Sequence, residues 1–129
     1  MNTWIKLLLV AFSGGLGAVA RWIIELALKN QAIGFSTWVI NSPGCLLIGI
    51  FAGWLSNADC HWSETTRTAF SLLTMTGFCG GFSTFSSFTL DSVKYYEQGQ
   101  FLIWVIFGSM TVFVGLFACA FGYWLGKHL

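Results

Sequence analysis

The sequence predicts an all-α membrane protein with four transmembrane helices per subunit, the third of them broken near its centre. Of the 129 residues, 56% are hydrophobic and only 9% are charged, which leaves too little polar surface to solvate a globule of this size. Four apolar stretches each reach the about 20 residues needed to cross about 30 Å of hydrocarbon. They cover roughly residues 5–28, 35–55, 67–95 and 101–126. We expect residues 1–129 to form a single four-helix transmembrane domain.

The first apolar stretch shares some features with a cleavable signal peptide. Lys6, the apolar residues 7–12 and the triplet Ala18-Val19-Ala20 follow that pattern. The hydrophobic run continues through residues 22–24, however, and the glycines among residues 14–17 are more typical of helix packing. We therefore expect this stretch to be retained as the first transmembrane helix.

The composition argues against several function classes. A formal net charge of +1 provides no basic surface for nucleic acid. Cys45, Cys79 and Cys119 fall inside apolar stretches and Cys60 falls in a loop, and no pair has a metal-ligand spacing such as C-x-x-C. We expect these cysteines to be small buried apolar residues. No nucleophile lies beside a base in the sequence, so we do not expect an enzyme.

The basic residues are almost evenly divided between the two sides of the membrane. One side would carry Lys6, Arg67 and Lys127, and the other Lys29 and Lys94. Since the cytoplasmic side normally carries the excess of Lys and Arg, this division barely favours either orientation. The chain could insert both ways up, and two opposite copies could pair as an antiparallel homodimer. Alternatively, the single extra charge fixes one orientation.

Two glycine pairs predict close helix packing. Gly49 with Gly53, and Gly122 with Gly126, form GxxxG motifs, which let helix backbones approach each other in lipid. These contacts would lie either between subunits or within one subunit.

The third stretch contains the segment GFCGGFSTFSSF, residues 77–88. The stretch is longer than a straight span needs, and Gly77, Gly80 and Gly81 fall in its interior, so we expect a break in the helix. Broken backbone at membrane depth requires protein, an ion or a water-lined cavity to satisfy its carbonyls. Carbonyls around Gly80 to Ser83 could therefore hold a hard monovalent cation. The alternative is an unbroken helix with a glycine packing face.

Phenylalanines follow the glycines at helical spacing. Phe82, Phe85 and Phe88 form a stripe that is interleaved with the hydroxyl side chains of residues 83, 84, 86, 87 and 89. Aromatic stripes usually indicate core or lipid contact. Here the positive ring edges and hydroxyl donors together form an uncharged surface that can hold a small anion weakly, as conduction requires.

Polar residues in the second and fourth stretches extend this surface. Asn41 offers an amide donor, and Thr37 lies one turn earlier on the same face; an interhelical hydrogen bond is the alternative for Asn41. Pro43 removes a backbone donor, so we expect a local kink near Asn41. Ser109 and Thr111 are candidates for the same polar track, although such hydroxyls often bond to their own backbone.

Charged residues near the ends of the stretches have simpler interpretations. Arg21 and Glu25 are four residues apart and can pair on one helix face, which predicts a structural anchor near the interface. Asp91 would lie either at the edge of a pore vestibule or in water at the end of its stretch.

Nearly the whole chain resembles the Fluc (CrcB) fluoride channels of bacteria. The resemblance is carried by GGLGAVARW, NSPGCLLIG and GFCGGFSTFSSF in the first three stretches, and more weakly by the spacing of Thr111, Gly115 and Gly122 in the fourth. It implies a multi-pass protein of the bacterial inner membrane that exports toxic fluoride passively. It also implies a dual-topology homodimer with two antiparallel pores and a structural sodium ion at its centre.

The resemblance also implies residue roles. Phe85 and Phe88 would be the pore phenylalanines, and Asn41 the pore amide. Sodium would be held by the backbone carbonyls of Gly80 and Ser83 from each subunit. The polar track would consist of Thr37, Ser86, Ser87 and Thr111.

This sequence departs from the family pattern at several positions. Ser83 and Ser87 stand where threonine is usual, and both keep a hydroxyl. Trp22 stands where tyrosine commonly follows the arginine, and Pro43 lies close to Asn41. Phe107 falls where the family often has a pore tyrosine, so that contact would lose its hydroxyl.

Two other functions compete with a channel. A small multidrug-resistance-like exporter would couple protons to transport through Glu25, but that residue lies near a span end beside Arg21. A non-transporting subunit of a larger membrane complex would need packing glycines but no polar track.

Overall fold

The regular structure of the chain is entirely helical in the computed structural model, which describes residues 1–57 and 61–129. Cys60, expected in a loop, lies outside these ranges. The α-helices are α1 (Thr3–Ala27), α2 (Phe35–Leu55), α3 (Glu64–Ser71), α4 (Gly80–Phe82), α5 (Phe85–Glu97) and α6 (Phe101–Lys127). A π-helix, Leu72–Cys79, joins α3 to α4.

Three helices in the described ranges are long and apolar enough to cross a membrane, namely α1, α2 and α6. Their ends lie close to those predicted from the apolar stretches. The third stretch forms α3, the π-helix, α4 and α5 in succession, and none of these pieces alone has that length. The predicted all-helical membrane architecture with a broken third segment is thus confirmed. Pro43 lies inside α2, which is helical throughout, and a kink there stays a prediction.

The two GxxxG pairs pack α2 against α6 within one subunit. A Cβ atom at Gly49 would collide with the carbonyl oxygen of Cys119, and one at Gly122 with that of Leu46. Gly53 and Gly126 have the same relation to the opposite helix. Of the two predicted alternatives, contacts between subunits or within one subunit, these four glycines make contacts within one subunit.

Glycines also bring α1 against the third segment. A Cβ atom at Gly17 would collide with the carbonyl oxygen of Phe78, and one at Gly81 with that of Gly14. Along this interface, residue numbers increase in the same direction in α1 and in the third segment, so the two segments are parallel. The same holds for α2 and α6. The π-helix was not expected from the sequence; it lies in this interface, where Gly77 meets the side chain of Ser13.

The helix break lies just beyond the glycines expected to cause it. Gly80 and Gly81 are helical, whereas Ser83 (φ −83°, ψ 155°) and Thr84 (φ −148°, ψ 122°) are extended. Thr84 caps the next helix, because its hydroxyl oxygen accepts the N–H of Ser87 at 3.2 Å. A hydroxyl cap therefore accompanies the break, and Gly77 and Gly81 serve packing against α1.

Candidate functional site

An open groove of 410 Å³ lies beside the break, between α2, α5 and α6. It brings together four of the residues predicted to line a pathway: Asn41, Phe85, Phe88 and Thr111. The other lining residues are Cys45, Ser83, Thr84, Val112, Gly115, Leu116 and Cys119. Among these described residues none is ionised, so the wall combines apolar side chains with a few hydroxyl and amide groups.

Asn41 joins α2 to the break. Its side-chain nitrogen donates to the carbonyl of Thr84 at 3.0 Å, and its oxygen accepts the Thr84 N–H at 2.8 Å. The interhelical hydrogen bond considered for Asn41 is therefore present, and the same side chain lines the groove. One donated bond uses one of the two amide hydrogens, which leaves a second for a ligand.

The break removes helical donors from two carbonyls. In a continuous α-helix the Gly80 carbonyl would accept from the Thr84 N–H, and that N–H donates to Asn41 instead. The Ser83 carbonyl would accept from the Ser87 N–H, and that N–H donates to the Thr84 hydroxyl. These are the two carbonyls expected to hold sodium. Carbonyl oxygens suit a hard cation.

Phenylalanine rings form a continuous series that begins with Phe85 and Phe88 in the groove and continues outside it. The ring centres of Phe85 and Phe88 are 5.5 Å apart, and those of Phe88 and Phe107 are 5.6 Å apart. Tyr95 follows at 5.5 Å from Phe107 and donates its hydroxyl to the Ile33 carbonyl. Phe85 is 75% exposed, so much of this ring is available for further contact. The part of Tyr95 was not predicted from the sequence.

The predicted hydroxyl track is only partly assembled. Thr111 lines the groove, but its hydroxyl donates to the Phe107 carbonyl of its own helix at 2.7 Å. Ser86 and Ser87 lie in the first turn of α5, where their hydroxyls contact that of Thr84 at 3.0 and 3.4 Å. Neither serine lines the groove within a single chain. Their hydroxyls instead lie beside that of Thr84, the residue that caps α5.

Thr37 lies outside the groove in a buried polar cluster. Its hydroxyl donates to Asp91 at 2.6 Å, and the Lys94 ammonium lies 2.9 Å from the other carboxylate oxygen. Thr37 is 3% exposed and Asp91 8%, so Asp91 does not face water as one expectation had it. Thr37 and Asp91 are 54 residues apart, and no sequence pattern predicts their contact.

Arg21 links α1 to the break. It pairs with Glu25 at 3.2 Å and donates through Nε to the Gly81 carbonyl at 3.3 Å. The predicted ion pair is present, and its contact with the third segment agrees with the anchoring role expected for Arg21.

These features define a multi-pass helical membrane protein with an uncharged groove at a helix break. The chain belongs to the CrcB family: the family model described as CrcB-like protein, Camphor Resistance (CrcB), matches residues 8–123.

Relatives of similar length match almost the whole chain. A protein of Flavobacterium psychrophilum is 35% identical over 93% of this chain and 95% of its own. A protein of Escherichia coli K12 is 36% identical over 94% of each chain. One of Rhizobium johnstonii is 33% identical over 92% of this chain and 93% of its own. Each of these relatives is named a fluoride-specific ion channel FluC.

Proposed function

We propose that this protein is a fluoride-selective channel that lets fluoride leave the cell passively across the bacterial inner membrane. The observation that carries the proposal is the match over 92% or more of the chain to relatives named fluoride-specific ion channels. Family membership and the apolar helices also support a multi-pass protein of the bacterial plasma membrane, and they argue against an enzyme.

The groove has the chemistry that a small, strongly hydrated anion needs. The positive edges of Phe85 and Phe88 and the second amide hydrogen of Asn41 are its electropositive groups. Because no lysine or arginine is among the described lining residues, an anion would be held weakly and released quickly. Thr111 can join if its hydroxyl rotates from the Phe107 carbonyl. Ser86 and Ser87 would extend the track beyond the groove, and Thr37 would join it only if its hydroxyl rotates from Asp91.

The working unit in this proposal is an antiparallel, dual-topology homodimer with four spans per subunit and two pores. Parallel packing of α1 with the third segment, and of α2 with α6, supports a third segment that crosses in the same direction as α1. Each single chain then forms one four-helix domain. The groove is open on one side, and Phe85 is 75% exposed, as expected if a second copy completes the wall.

A structural sodium ion would be held by the Gly80 and Ser83 carbonyls. Their lost helical donors support this assignment, since carbonyls without partners are costly in hydrocarbon. One chain offers too few oxygens for a full shell, so the second copy would supply the rest. The ion would contribute fixed positive charge and hold two breaks together.

The proton-coupled exporter is not favoured. Such a transporter requires a carboxylate that is free to exchange protons, whereas Glu25 is paired with Arg21, which also binds the Gly81 carbonyl. The interaction-subunit alternative provides no reason for polar groups to converge on the groove.

The proposed function is tested by efflux from liposomes that contain the purified protein. Vesicles are loaded with fluoride or chloride, a potassium ionophore balances charge, and ion-selective electrodes follow the released anion. We expect rapid fluoride release and negligible chloride release, from the parent and from Glu25→Gln alike. No fluoride release from folded, inserted protein would contradict the channel, and loss of transport only in Glu25→Gln would favour the exporter.

A further inference from the structure

The side chains of two groove cysteines take no part in the contacts described above. Cys45 on α2 and Cys119 on α6 both line it, and both are free, partly exposed thiols. Since α2 and α6 pack along their length, thiols from two different helices face the same space.

The Cys45 thiol lies against Gly115, on the face of α6 that also carries Cys119. The Sγ atom of Cys45 lies 3.3 Å from the position that a Cβ at residue 115 would occupy. Cys119 follows Gly115 by four residues, so both lie on one face of α6.

We propose that Cys45 and Cys119 together bind a soft metal cation, represented by Hg²⁺, and that the bound metal obstructs the groove. Thiolate sulfur is the protein ligand that soft cations prefer. As each S–Hg bond forms, the thiol releases its proton to water, so one Hg²⁺ and two thiols give a neutral complex and two protons. A neutral product suits a wall without charged side chains. The obstruction, unlike the binding, rests on the proposed function.

Cys79 provides a matched control. It is also a free thiol inside the membrane-spanning part of the chain, but it is 1% exposed and does not line the groove. Cys60, which lies outside the described residues, is replaced by serine in every variant to remove its reactivity.

Binding is measured first, on the purified full chain in detergent. Hg²⁺ is titrated into the Cys60→Ser parent and into Cys45→Ser, Cys119→Ser and Cys79→Ser made in it, and thiolate-to-mercury absorbance and retained mercury are recorded. We expect a tight site in the parent and in Cys79→Ser. Either groove variant should lose at least about a hundredfold in affinity, since removing a group that merely orients a ligand already costs about 10- to 100-fold. Equal affinity in the parent and both groove variants would overturn the proposal.

Fluoride efflux is then compared with and without Hg²⁺, relative to the metal-free rate of each variant. We expect the parent and Cys79→Ser to be blocked, and the groove variants to need much more Hg²⁺. Tight binding without any block would overturn the obstruction. A chain that binds Hg²⁺ as expected but releases no fluoride when metal-free would support the thiol site and contradict the proposed function.

Discussion

The side-chain amide of Asn41 holds both backbone polar groups of Thr84, accepting its N–H at 2.8 Å and donating to its carbonyl at 3.0 Å. Thr84 is extended at the helix break, so its N–H does not donate to the Gly80 carbonyl as it would in a continuous helix. Water cannot replace such partners in hydrocarbon. A residue that lines the groove thus also stabilises the backbone that shapes it.

Replacing Asn41 by leucine should reduce both stability and fluoride efflux. The change keeps the volume but leaves the Thr84 N–H and carbonyl without this partner, at about 1–3 kcal/mol for each group. Thermal unfolding in detergent and efflux from liposomes measure the two effects. Ser42→Ala is the neighbouring control, because the Ser42 hydroxyl donates to the Trp38 carbonyl of its own helix. Unchanged melting and efflux in Asn41→Leu would remove this residue from both roles.

Replacing Phe85 or Phe88 by isoleucine should lower fluoride efflux by at least about tenfold, about 1.4 kcal/mol in free energy, while the protein stays folded. Isoleucine keeps an apolar surface but has no ring edge to face an anion. Phe113→Ile is the control, since Phe113 is 69% exposed on α6 and outside the groove. Efflux is measured beside size-exclusion profiles. Parental rates in both groove variants would defeat the pore assignment.

Alanine at Gly122 should destabilise the fold, whereas alanine at Gly108 of the same helix should not. A Cβ at Gly122 would collide with the Leu46 carbonyl, and overpacking of this kind costs about 1–3 kcal/mol. A Cβ at Gly108 meets nothing within 4 Å, so helix propensity there favours alanine by up to about 1 kcal/mol. Melting temperatures in detergent compare the two variants. Equal melting would show that the α2–α6 interface tolerates a wider separation.

The membrane-spanning helices were predictable because an apolar stretch must reach about 20 residues to cross the hydrocarbon core, and such stretches are visible in the sequence. The break was also predictable from the unusual composition of residues 77–88, but its position was not. Glycine permits both close packing and irregular backbone, and the sequence does not distinguish the two roles. The contacts of Gly81 with Gly14 and of Gly77 with Ser13 show that these glycines pack. The hydroxyl of Thr84 and the distant amide of Asn41 mark the break itself.

The polar track was harder to predict than the phenylalanine wall. Phe85 and Phe88 come from one short helix, so their spacing already places them on one face. The partner of a hydroxyl depends on packing between helices. The Thr37 hydroxyl bonds to Asp91, and the Thr111 hydroxyl bonds to its own helix.

Tags at the C-terminus should be found on both faces of the membrane if the chain inserts in both orientations. The balance of Lys6, Arg67 and Lys127 against Lys29 and Lys94 provides little bias. Protease protection of the tag in sealed vesicles measures the two populations. Replacing both Lys29 and Lys94 by glutamine should shift the chain towards one orientation and reduce efflux, because antiparallel pairs become rare. A tag on one face only, in the parent chain, would contradict dual topology.

Thr37→Val should destabilise the protein through Asp91. Valine keeps the shape of threonine but removes the donor that lies 2.6 Å from the buried carboxylate, a hydrogen bond worth about 1.5–3 kcal/mol when the acceptor is charged. Lys94 is then left as the remaining partner among the contacts described for Asp91. A double-mutant cycle with Asp91→Ala, followed by thermal unfolding, isolates the pair. We expect the two losses to be strongly non-additive, because either change removes the same bond. Additive losses would contradict the coupling of Thr37 with Asp91. A fall in efflux with no change in melting would instead favour direct contact of Thr37 with the conducted ion.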